Sequence, residues 1–212
     1  MASSFDYKKE FKDLYLPGSR PMLLSVPRMV FVMVDGEGDP NTAESYKEAL
    51  ELLYGISYTV KMSKMGAPPP GYFEYVVPPL EGLWSLGKNT GYTTFQKDSF
   101  VWTALIRLPD FVTDRVFSWA TETLGAKKPQ LSLGRAYRKE WEEGLCTQIM
   151  HTGPYDAEPA SIAALETFAT ENGYCFDLTE GRQHHEIYLS DPRRSAPDNL
   201  KTVIRYPVKT VD

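Results

Sequence analysis

Hydrophobic and polar residues follow one another along this chain in an order that occurs twice. After a charged N-terminal arm, the apolar run at residues 30–34, VFVMV, predicts a buried strand, and the glycine-rich turn at 35–40, DGEGDP, leads into a helix. Apolar residues at three- and four-residue spacing along that helix form a stripe that can face a core. Two further strands are predicted at about 72–77 and 100–108.

The second half of the chain repeats this order. A strand is predicted at 145–150, a turn at 151–156, a helix that ends before Gly173, and two strands at 184–190 and 202–206. The last strands of the two halves end alike, in IRLP and IRYP, and the strand before each contains a glutamate, Glu74 or Glu186. A strand-helix-strand-strand unit is therefore used twice.

This repeat predicts an α+β fold of two pseudo-repeated units with antiparallel sheets around a central ligand cleft. We expect one domain over residues 1–212, with the first repeat at about 28–110, a linker at about 111–143 and the second repeat at about 144–208. Each unit has one helix to cover one face of its sheet, so the uncovered strand faces are expected to form the walls of the cleft.

The strand around Glu186, in the segment QHHEIYLSDP, carries a carboxylate in its middle. Because side chains alternate along a strand, His184, Glu186 and Tyr188 share one face, and Ile187 marks the opposite, core-facing side. Glu186 and Tyr188 then face either solvent or a second cavity. The repeat favours the cavity.

The amino-acid composition of the chain limits the kinds of partner that we expect it to bind. The chain has 13 Tyr, 10 Phe and 4 Trp, enough either to line a pocket or to fill a core with aromatic rings. A net charge of -5 gives no positive field for a phosphate backbone, so we expect no nucleic acid partner. There is no signal peptide and no apolar run long enough to cross a bilayer, which predicts a cytoplasmic protein without a membrane partner.

Several kinds of chemistry are disfavoured by the residue pattern. Only His184 and Glu186 could share a metal ion, and His151 would have to come from another strand, so we predict no metal and no other cofactor. The chain has no G-x-S-x-G turn for a serine hydrolase, and three acidic side chains in the 35–40 turn disfavour phosphate binding. A glutamate among aromatic rings can instead bind a cation or act as a general acid or base.

Three motifs carry a resemblance to a known family. The segment HEIYLSDPRR at 185–194, followed by KTVIRYPV at 201–208, resembles the C-terminal signature of GyrI-like small-molecule-binding proteins. The turn MHTGPYDAEP at 150–159 is similar to that of the same family, and YVVPPLEGLW at 75–84 is similar to its free-standing members. The resemblance extends from about residue 5 to residue 208.

The resemblance implies a duplicated strand-helix-strand-strand unit that binds hydrophobic, often cationic, molecules, with the family glutamate at Glu186. Some members are fused to a helix-turn-helix DNA-binding module, but here we expect the two units to take up the sequence, so a role in transcription is not expected. The free-standing branch includes enzymes that hydrolyse the strained cyclopropane of DNA-alkylating natural products. That likeness implies a protective hydrolase with Glu186 as general base and Tyr188 as a donor to the ligand carbonyl. The alternatives are sequestration of hydrophobic or cationic molecules without turnover, or an adaptor role.

The family's aromatic cage is expected around Glu186, to hold a small hydrophobic or aromatic ligand. Candidates are aromatic residues on or beside the cleft-forming strands. The pattern leaves open whether Trp102 or Thr103, and whether Tyr72 or Phe73, faces the cleft. The predicted cage residues are Tyr72, Tyr75, Trp84, Trp102 and Tyr137.

Overall fold

The computed structural model describes residues 4–86, 100–179 and 181–211. The strands of these ranges are β1 (Met22–Glu37), β2 (Leu80–Leu86), β3 (Phe100–Leu108), β4 (Ala136–Thr152), β5 (Tyr174–Phe176), β6 (His184–Tyr188) and β7 (Lys201–Thr210). The α-helices are α1 (Tyr7–Glu10), α2 (Lys12–Tyr15), α3 (Glu44–Met62), α4 (Asp114–Lys127) and α5 (Glu158–Glu171). In the part of the chain described, no helix is long and apolar enough to cross a bilayer.

The strands form an antiparallel sheet that closes on itself. Its order is β4-β1-β3-β2-β6-β7, β7 pairs again with β4, and β5 adds to β7. The units β1-α3-β2-β3 and β4-α5-β6-β7 take equivalent places in this closed sheet, each contributing three neighbouring strands. The predicted α+β fold of two pseudo-repeated units is therefore confirmed. The exact repeat and linker limits remain predictions.

The second strand of the first unit lies later in the chain than the sequence pattern predicts. Residues 72–79 are irregular apart from an isolated bridge between Phe5 and Tyr75, and the strand is β2 instead. The pair Pro78 and Pro79, which has no N–H to donate, precedes this strand. Glu74 is consequently not a strand residue equivalent to Glu186. Its carboxylate pairs with Lys64 at 2.9 Å.

Helices cover the outer face of the closed sheet. Leu53 and Ile56 of α3 pack with β1 and β3, while Leu165 of α5 packs against Ile204 and Tyr206 of β7. The inner strand faces, which we expected to form cleft walls, instead pack against one another and against the short helices α1 and α2. They fill the interior of the barrel. The open cavity therefore lies on the helix side of the sheet.

A buried polar cluster crosses the barrel interior. His185 of β6 lies between Glu81 at 2.9 Å and Glu143 at 3.1 Å, and Arg205 pairs with Glu143 at 2.9 Å. Arg205 also donates to the Leu14 carbonyl at 2.8 Å, which ties α2 to the sheet. Burial alone would lower the pKa of His185, but the two carboxylates raise it to about 9. His185 is therefore a charged structural residue on the opposite face of β6 from Glu186.

Candidate functional site

An open cavity of about 1220 Å³ lies over the outer face of β2 and β6, between α3 and the start of α5. This is the position that the twofold repeat creates where β2 of one unit pairs with β6 of the other. Its opposite rim is the segment at 189–197. The aromatic residues nearest to its floor are Tyr46, Trp84, Phe100, Tyr155 and Tyr188.

Glu186 lies in the floor of this cavity and is only 8% exposed. The Tyr188 hydroxyl donates to Glu186 Oε2 at 2.7 Å, and Trp84 Nε1 donates to the Tyr188 oxygen at 2.9 Å. Burial and the neighbouring Glu186 charge raise the pKa of Tyr188 well above its ordinary value, so the hydroxyl stays protonated. This chain of donors holds one side of the Glu186 carboxylate in place.

A glycine on β2 makes room for these donors. Gly82 pairs with Glu186 across the two strands. A Cβ atom at this position would lie 2.6 Å from Trp84 Nε1 and 3.0 Å from the Tyr188 hydroxyl. Any larger residue would therefore push the Trp84 and Tyr188 side chains apart.

A second carboxyl group, Glu158, meets Glu186 from the first turn of α5. Glu158 is 6% exposed, and the two carboxyl groups are within hydrogen-bonding reach. Burial first, and then the negative charge of Glu186, raise the pKa of Glu158 strongly. Burial also raises the pKa of Glu186, although hydrogen bonds from Tyr188 and Glu158 oppose the rise. The pair therefore retains a proton at neutral pH, held mainly by Glu158.

The hydrogen bonding of Glu158 agrees with a protonated carboxyl. Its Oε1 atom is buried and accepts no hydrogen bond from the described residues. A carboxylic acid at this position can donate to the Glu186 carboxylate, which removes the cost of a buried, unpaired anion. The cavity floor thus presents an acid beside a base.

His184 approaches Glu186 from the same strand face. Its Nε2 lies 3.3 Å from Glu186 Oε1, and its Nδ1 lies 3.1 Å from the Tyr206 hydroxyl. Burial, together with the charge on His185, lowers the pKa of His184 to about 3. The imidazole is neutral, so the contact with Glu186 is not an ion pair.

The third histidine, which a metal site would have required in addition, has hydrogen-bond partners of its own. His151 bonds to Ser161 at 2.9 Å and to the Pro154 carbonyl at 3.2 Å. Within the described ranges, no group of three His, Cys, Asp or Glu side chains is placed to hold a metal ion.

The structure brings together three of the seven site residues proposed from the sequence. Glu186, Tyr188 and Trp84 line the cavity. Trp102 is 1% exposed and lies behind the wall, with its ring centroid 4.9 Å from that of Tyr46. Trp102 therefore supports a wall residue from the core.

The remaining three predicted cage residues lie outside the cavity. Tyr72 and Tyr75 pack with the barrel interior beside Phe111, because their segment runs under the N-terminal helices. Tyr137 is on the inner face of β4 and donates to Asp35 at 3.0 Å. No ligand role for these residues is supported by their positions.

Sequence reasoning missed Glu158 and three aromatic wall residues, Tyr46, Phe100 and Tyr155. Tyr46 belongs to the apolar stripe of α3, and such a stripe is equally typical of a helix face that is buried in the core. Tyr155 and Glu158 stand inside the family-like turn at 150–159, so that motif was the available signal. The start of α5 faces β6 only in the tertiary structure. The spacing of residues in the sequence does not reveal this contact.

Comparisons with known proteins agree with this architecture. A hydrolase from Listeria innocua is 43% identical over 97% of this chain and all of its own, with a TM-score of 0.89. A hydrolase encoded by lin2189 from the same organism is 44% identical over 98% of this chain and all of its own, with a TM-score of 0.90. No curated protein sequence matches the chain.

A more distant likeness concerns the fold alone. The C-terminal domain of EcmrR is 15% identical over 91% of this chain and 98% of its own, with a TM-score of 0.53.

The model of the GyrI-like small molecule binding domain matches residues 20–209, which include both units and the whole cavity floor. The chain therefore belongs to the GyrI-like small molecule binding domain family.

Proposed function

We propose that this protein hydrolyses aromatic small molecules that carry a strained cyclopropane ring, the cyclopropanoid DNA alkylators, and so protects the cell from them. The observation that carries the proposal is the pair of buried, adjacent carboxyl groups, Glu158 and Glu186, at the floor of an aromatic cavity, where burial raises the pKa of both. Two solved structures from Listeria innocua, 43% and 44% identical to this chain, are named hydrolases, which supports an enzymatic role.

The reaction we propose adds one water molecule to the ligand. Glu186, ionised, takes a proton from water as the water oxygen bonds to a ring carbon. The carbon–carbon bond of the cyclopropane breaks, and its electron pair moves into the conjugated carbonyl, which gains a proton and becomes a hydroxyl. Adding water causes no net oxidation or reduction, so the reaction needs no oxidant or reductant, and ring strain supplies much of its driving force.

Glu158 is the better donor for the carbonyl oxygen in this reaction. Its pKa is raised by burial and by Glu186, so it carries a proton to give. The Tyr188 hydroxyl, which the sequence suggested for this task, donates to Glu186 at 2.7 Å, and its pKa is raised well above the ordinary value of 10, so it is the weaker acid. We assign Tyr188 to orienting the base.

Sequestration without turnover is the second candidate function. A carboxylate beneath aromatic ring faces can hold a cationic, planar molecule by charge and by cation–π attraction. The Glu186 carboxylate among Tyr46, Trp84 and Tyr155 is the observation that favours it. A protein of this kind would return its ligand unchanged.

Mass spectrometry separates the two functions. The protein is incubated with an excess of a cyclopropanoid whose three-membered ring is conjugated to a cyclohexadienone, and the molecular masses of the products are measured. We expect many molecules of product per protein, each heavier by one water. Glu186→Gln keeps the size of the side chain and removes the base, so turnover should fall by ~10²- to 10⁴-fold while a neutral ligand binds within severalfold.

Glu166→Gln on the exposed face of α5 is the matched control and should keep the wild-type rate. Recovery of the unchanged compound, with weaker binding of an aromatic cation by Glu186→Gln, would favour sequestration instead. If Glu186→Gln alters neither binding nor turnover, the cavity floor is not the functional site.

A further inference from the structure

The first turn of α5 places Glu158 in the cavity floor, whereas the apolar packing of this helix lies further along. Of the fourteen residues of α5, three are buried: Glu158 in the first turn, Leu165 in the middle and Ala169 near the end. The preceding residue, Ala157, gives the helix no side-chain cap. A buried carboxyl group needs a fixed position if its hydrogen-bond partner is to stay within reach. Another contact must therefore hold the start of α5.

His151, near the end of β4, makes this contact. Its side chain is buried, with Nδ1 2.9 Å from the Ser161 hydroxyl of α5 and Nε2 3.2 Å from the Pro154 carbonyl. Ser161 follows Glu158 by three residues, so the two side chains lie on the same side of the helix, about one turn apart. The imidazole thus connects β4 both with the turn before α5 and with α5 itself. We call these two contacts the His151 clamp.

The two hydrogen bonds of the clamp are possible in either charge state of the ring. The Pro154 carbonyl can only accept, so Nε2 carries a hydrogen. In the neutral imidazole Nδ1 then accepts from the Ser161 hydroxyl, and in the charged imidazole Nδ1 donates to the Ser161 oxygen. Titration of His151 therefore does not open the clamp.

The turn between β4 and α5 is shaped to bring the Pro154 carbonyl to both partners. This carbonyl accepts from the Ala157 N–H at 2.9 Å as well as from His151. Gly153, with a φ of 139°, adopts a conformation that favours glycine, and its N–H donates to the Leu200 carbonyl at 3.0 Å. The imidazole, the turn and the start of the helix are therefore joined at one oxygen atom.

We infer that His151 is a positioning residue for the carboxyl pair, because its clamp holds the start of α5 where Glu158 meets Glu186. The inference rests on the proposed function, in which this pair supplies the acid and the base. Among the described residues that line the cavity, Pro154 and Glu158 are present and His151 is not. His151 therefore acts on the reaction through α5 and not by contact with the ligand.

The environment of Glu158 shows what loosening the clamp would change. The titratable groups that interact with it come from β6, with Glu186 and Tyr188, and from the turn before α5, with Tyr155 and Asp156. Burial first, then the charge of Glu186, raise the pKa of Glu158. Movement of α5 away from β6 would weaken both causes together. The pKa of Glu158 should then fall toward its ordinary value.

Carbon NMR of the glutamate carboxyl groups tests the clamp without a substrate. The Glu158 signal is the one missing from the spectrum of Glu158→Gln. In Ser161→Ala, which removes the hydroxyl, this signal should titrate at a pH lower by about one unit or more. His151→Phe keeps a ring but removes both nitrogens, and the decrease should be at least as large.

Two further variants make the test specific. Ser161→Thr keeps the hydroxyl and should restore the wild-type titration of Glu158. Thr167→Ala removes another hydroxyl of α5, one that donates to the Ala163 carbonyl of the same helix at 2.9 Å, and should leave the titration unchanged. A purely structural role of His151 would lower the melting temperature in the clamp variants without moving the Glu158 signal.

Turnover of the cyclopropanoid gives a second readout. Since Glu158 is the proposed proton donor, Ser161→Ala should lower kcat about tenfold and change KM less than about twofold. An unchanged Glu158 titration in Ser161→Ala would overturn the clamp, whether or not His151→Phe folds. An equal shift in Thr167→Ala would also overturn it. Absence of hydrolysis by the wild-type protein would contradict the proposed function, and the titration would still decide on the clamp.

Discussion

Neighbouring residues of β6 have opposite protonation states because they face different environments. His184 faces the helix side, where burial and the charge of His185 disfavour its protonated form, and its pKa falls to about 3. His185 faces the barrel interior between Glu81 and Glu143, and its pKa rises to about 9. The next residue, Glu186, is again on the helix side, where burial raises its pKa. Strand alternation thus separates a structural ion cluster from a proton-sharing site.

The contact between Tyr188 and Glu186 predicts a change in the pH profile of the proposed reaction. Glu186 must be ionised to accept a proton, so kcat/KM should fall as pH drops through its raised pKa. The Tyr188 hydrogen bond stabilises the carboxylate and lowers that pKa. Tyr188→Phe should therefore raise the pKa of Glu186 and move the acidic limb to higher pH by about one to two units.

Measurement of kcat/KM against pH for the wild-type protein and Tyr188→Phe checks this shift. Tyr155→Phe is the control, because it keeps the ring that meets Tyr188 edge to face at 6.0 Å, and Glu186 acts on the pKa of Tyr155 through its charge and not through a hydrogen bond. An acidic limb that stays in place, or moves to lower pH, would contradict the role given to Tyr188.

At the residue scale, the local sequence pattern predicted the site residues that share one strand face and missed a site residue that comes from another element. Alternation along β6 correctly placed Glu186 and Tyr188 on the face opposite Ile187, and the family-like segment at 75–84, which runs into β2, included Trp84. Glu158 is separated from Glu186 by a helix and a strand, so only the packing of α5 on the sheet brings the two carboxyl groups together.

At the scale of elements, the first segment of the chain is a cover for the barrel. Helices α1 and α2 have four residues each, too few to be stable alone. They are held by contacts with β3 and β7. The Arg107 guanidinium lies 4.6 Å from the Tyr7 ring centroid and 4.5 Å from that of Phe11, and Arg205 donates to the Leu14 carbonyl. The sequence showed only a charged arm, because these partners lie far along the chain.

Two adjacent residues, Tyr15 at the end of α2 and Leu16 just after it, test whether this segment covers the barrel. Tyr15 is 1% exposed in the inner core, whereas Leu16 is 45% exposed. Tyr15→Ala should lower the free energy of unfolding by about 3–5 kcal/mol, since it leaves a cavity in the core. Leu16→Ala should change it by less than about 0.5 kcal/mol. Urea unfolding at neutral pH measures both, and equal small effects would show that the segment does not close the barrel.

The position of β2 shows where pattern reasoning failed for an element. The run at 72–77 contains Tyr72, Phe73 and Tyr75, residue types that favour strands, whereas β2 contains Gly82 and Ser85, which do not. In the fold, the aromatic run packs against the N-terminal cover. Gly82 is required because Trp84 and Tyr188 occupy the space of a side chain. Contacts between distant elements outweighed local propensity at both places.

At the scale of the whole molecule, duplication explains why the cavity lies where it does. The sequence predicted the two units and a cleft between their uncovered sheet faces, but it did not show that these faces pack against one another. The inner faces meet because they carry both apolar residues and the cluster of Glu81, Glu143, His185 and Arg205, which is satisfied only when β2, β4, β6 and β7 surround it. The helices are then left outside, with a groove between them where β2 pairs with β6.

This inner cluster predicts how the stability of the whole fold depends on pH. The pKa of His185 in the folded state, about 9, is above its ordinary value of 6.5, so its contribution is fully present below pH 6.5 and is lost as pH rises through about 9. The pKa of Glu143, about 2, is below its ordinary value of 4.5, so its contribution is present above pH 4.5 and is lost as pH falls through about 2. Both contributions are complete only between these ordinary values.

The free energy of unfolding should therefore decrease by about 3 kcal/mol as pH rises from below 6.5 to above 9. The raised pKa values of Glu158 and Glu186 also reduce stability as pH rises, because the folded state binds protons there more tightly than the unfolded state. Urea unfolding is thus compared across this range in the Glu158→Gln/Glu186→Gln background, where that pair no longer titrates. The imidazole signals of His185, followed by NMR over the same range, should change near pH 9 together with stability. A constant unfolding free energy, or a His185 signal that titrates at its ordinary pKa, would show that the cluster does not hold the two units together by charge.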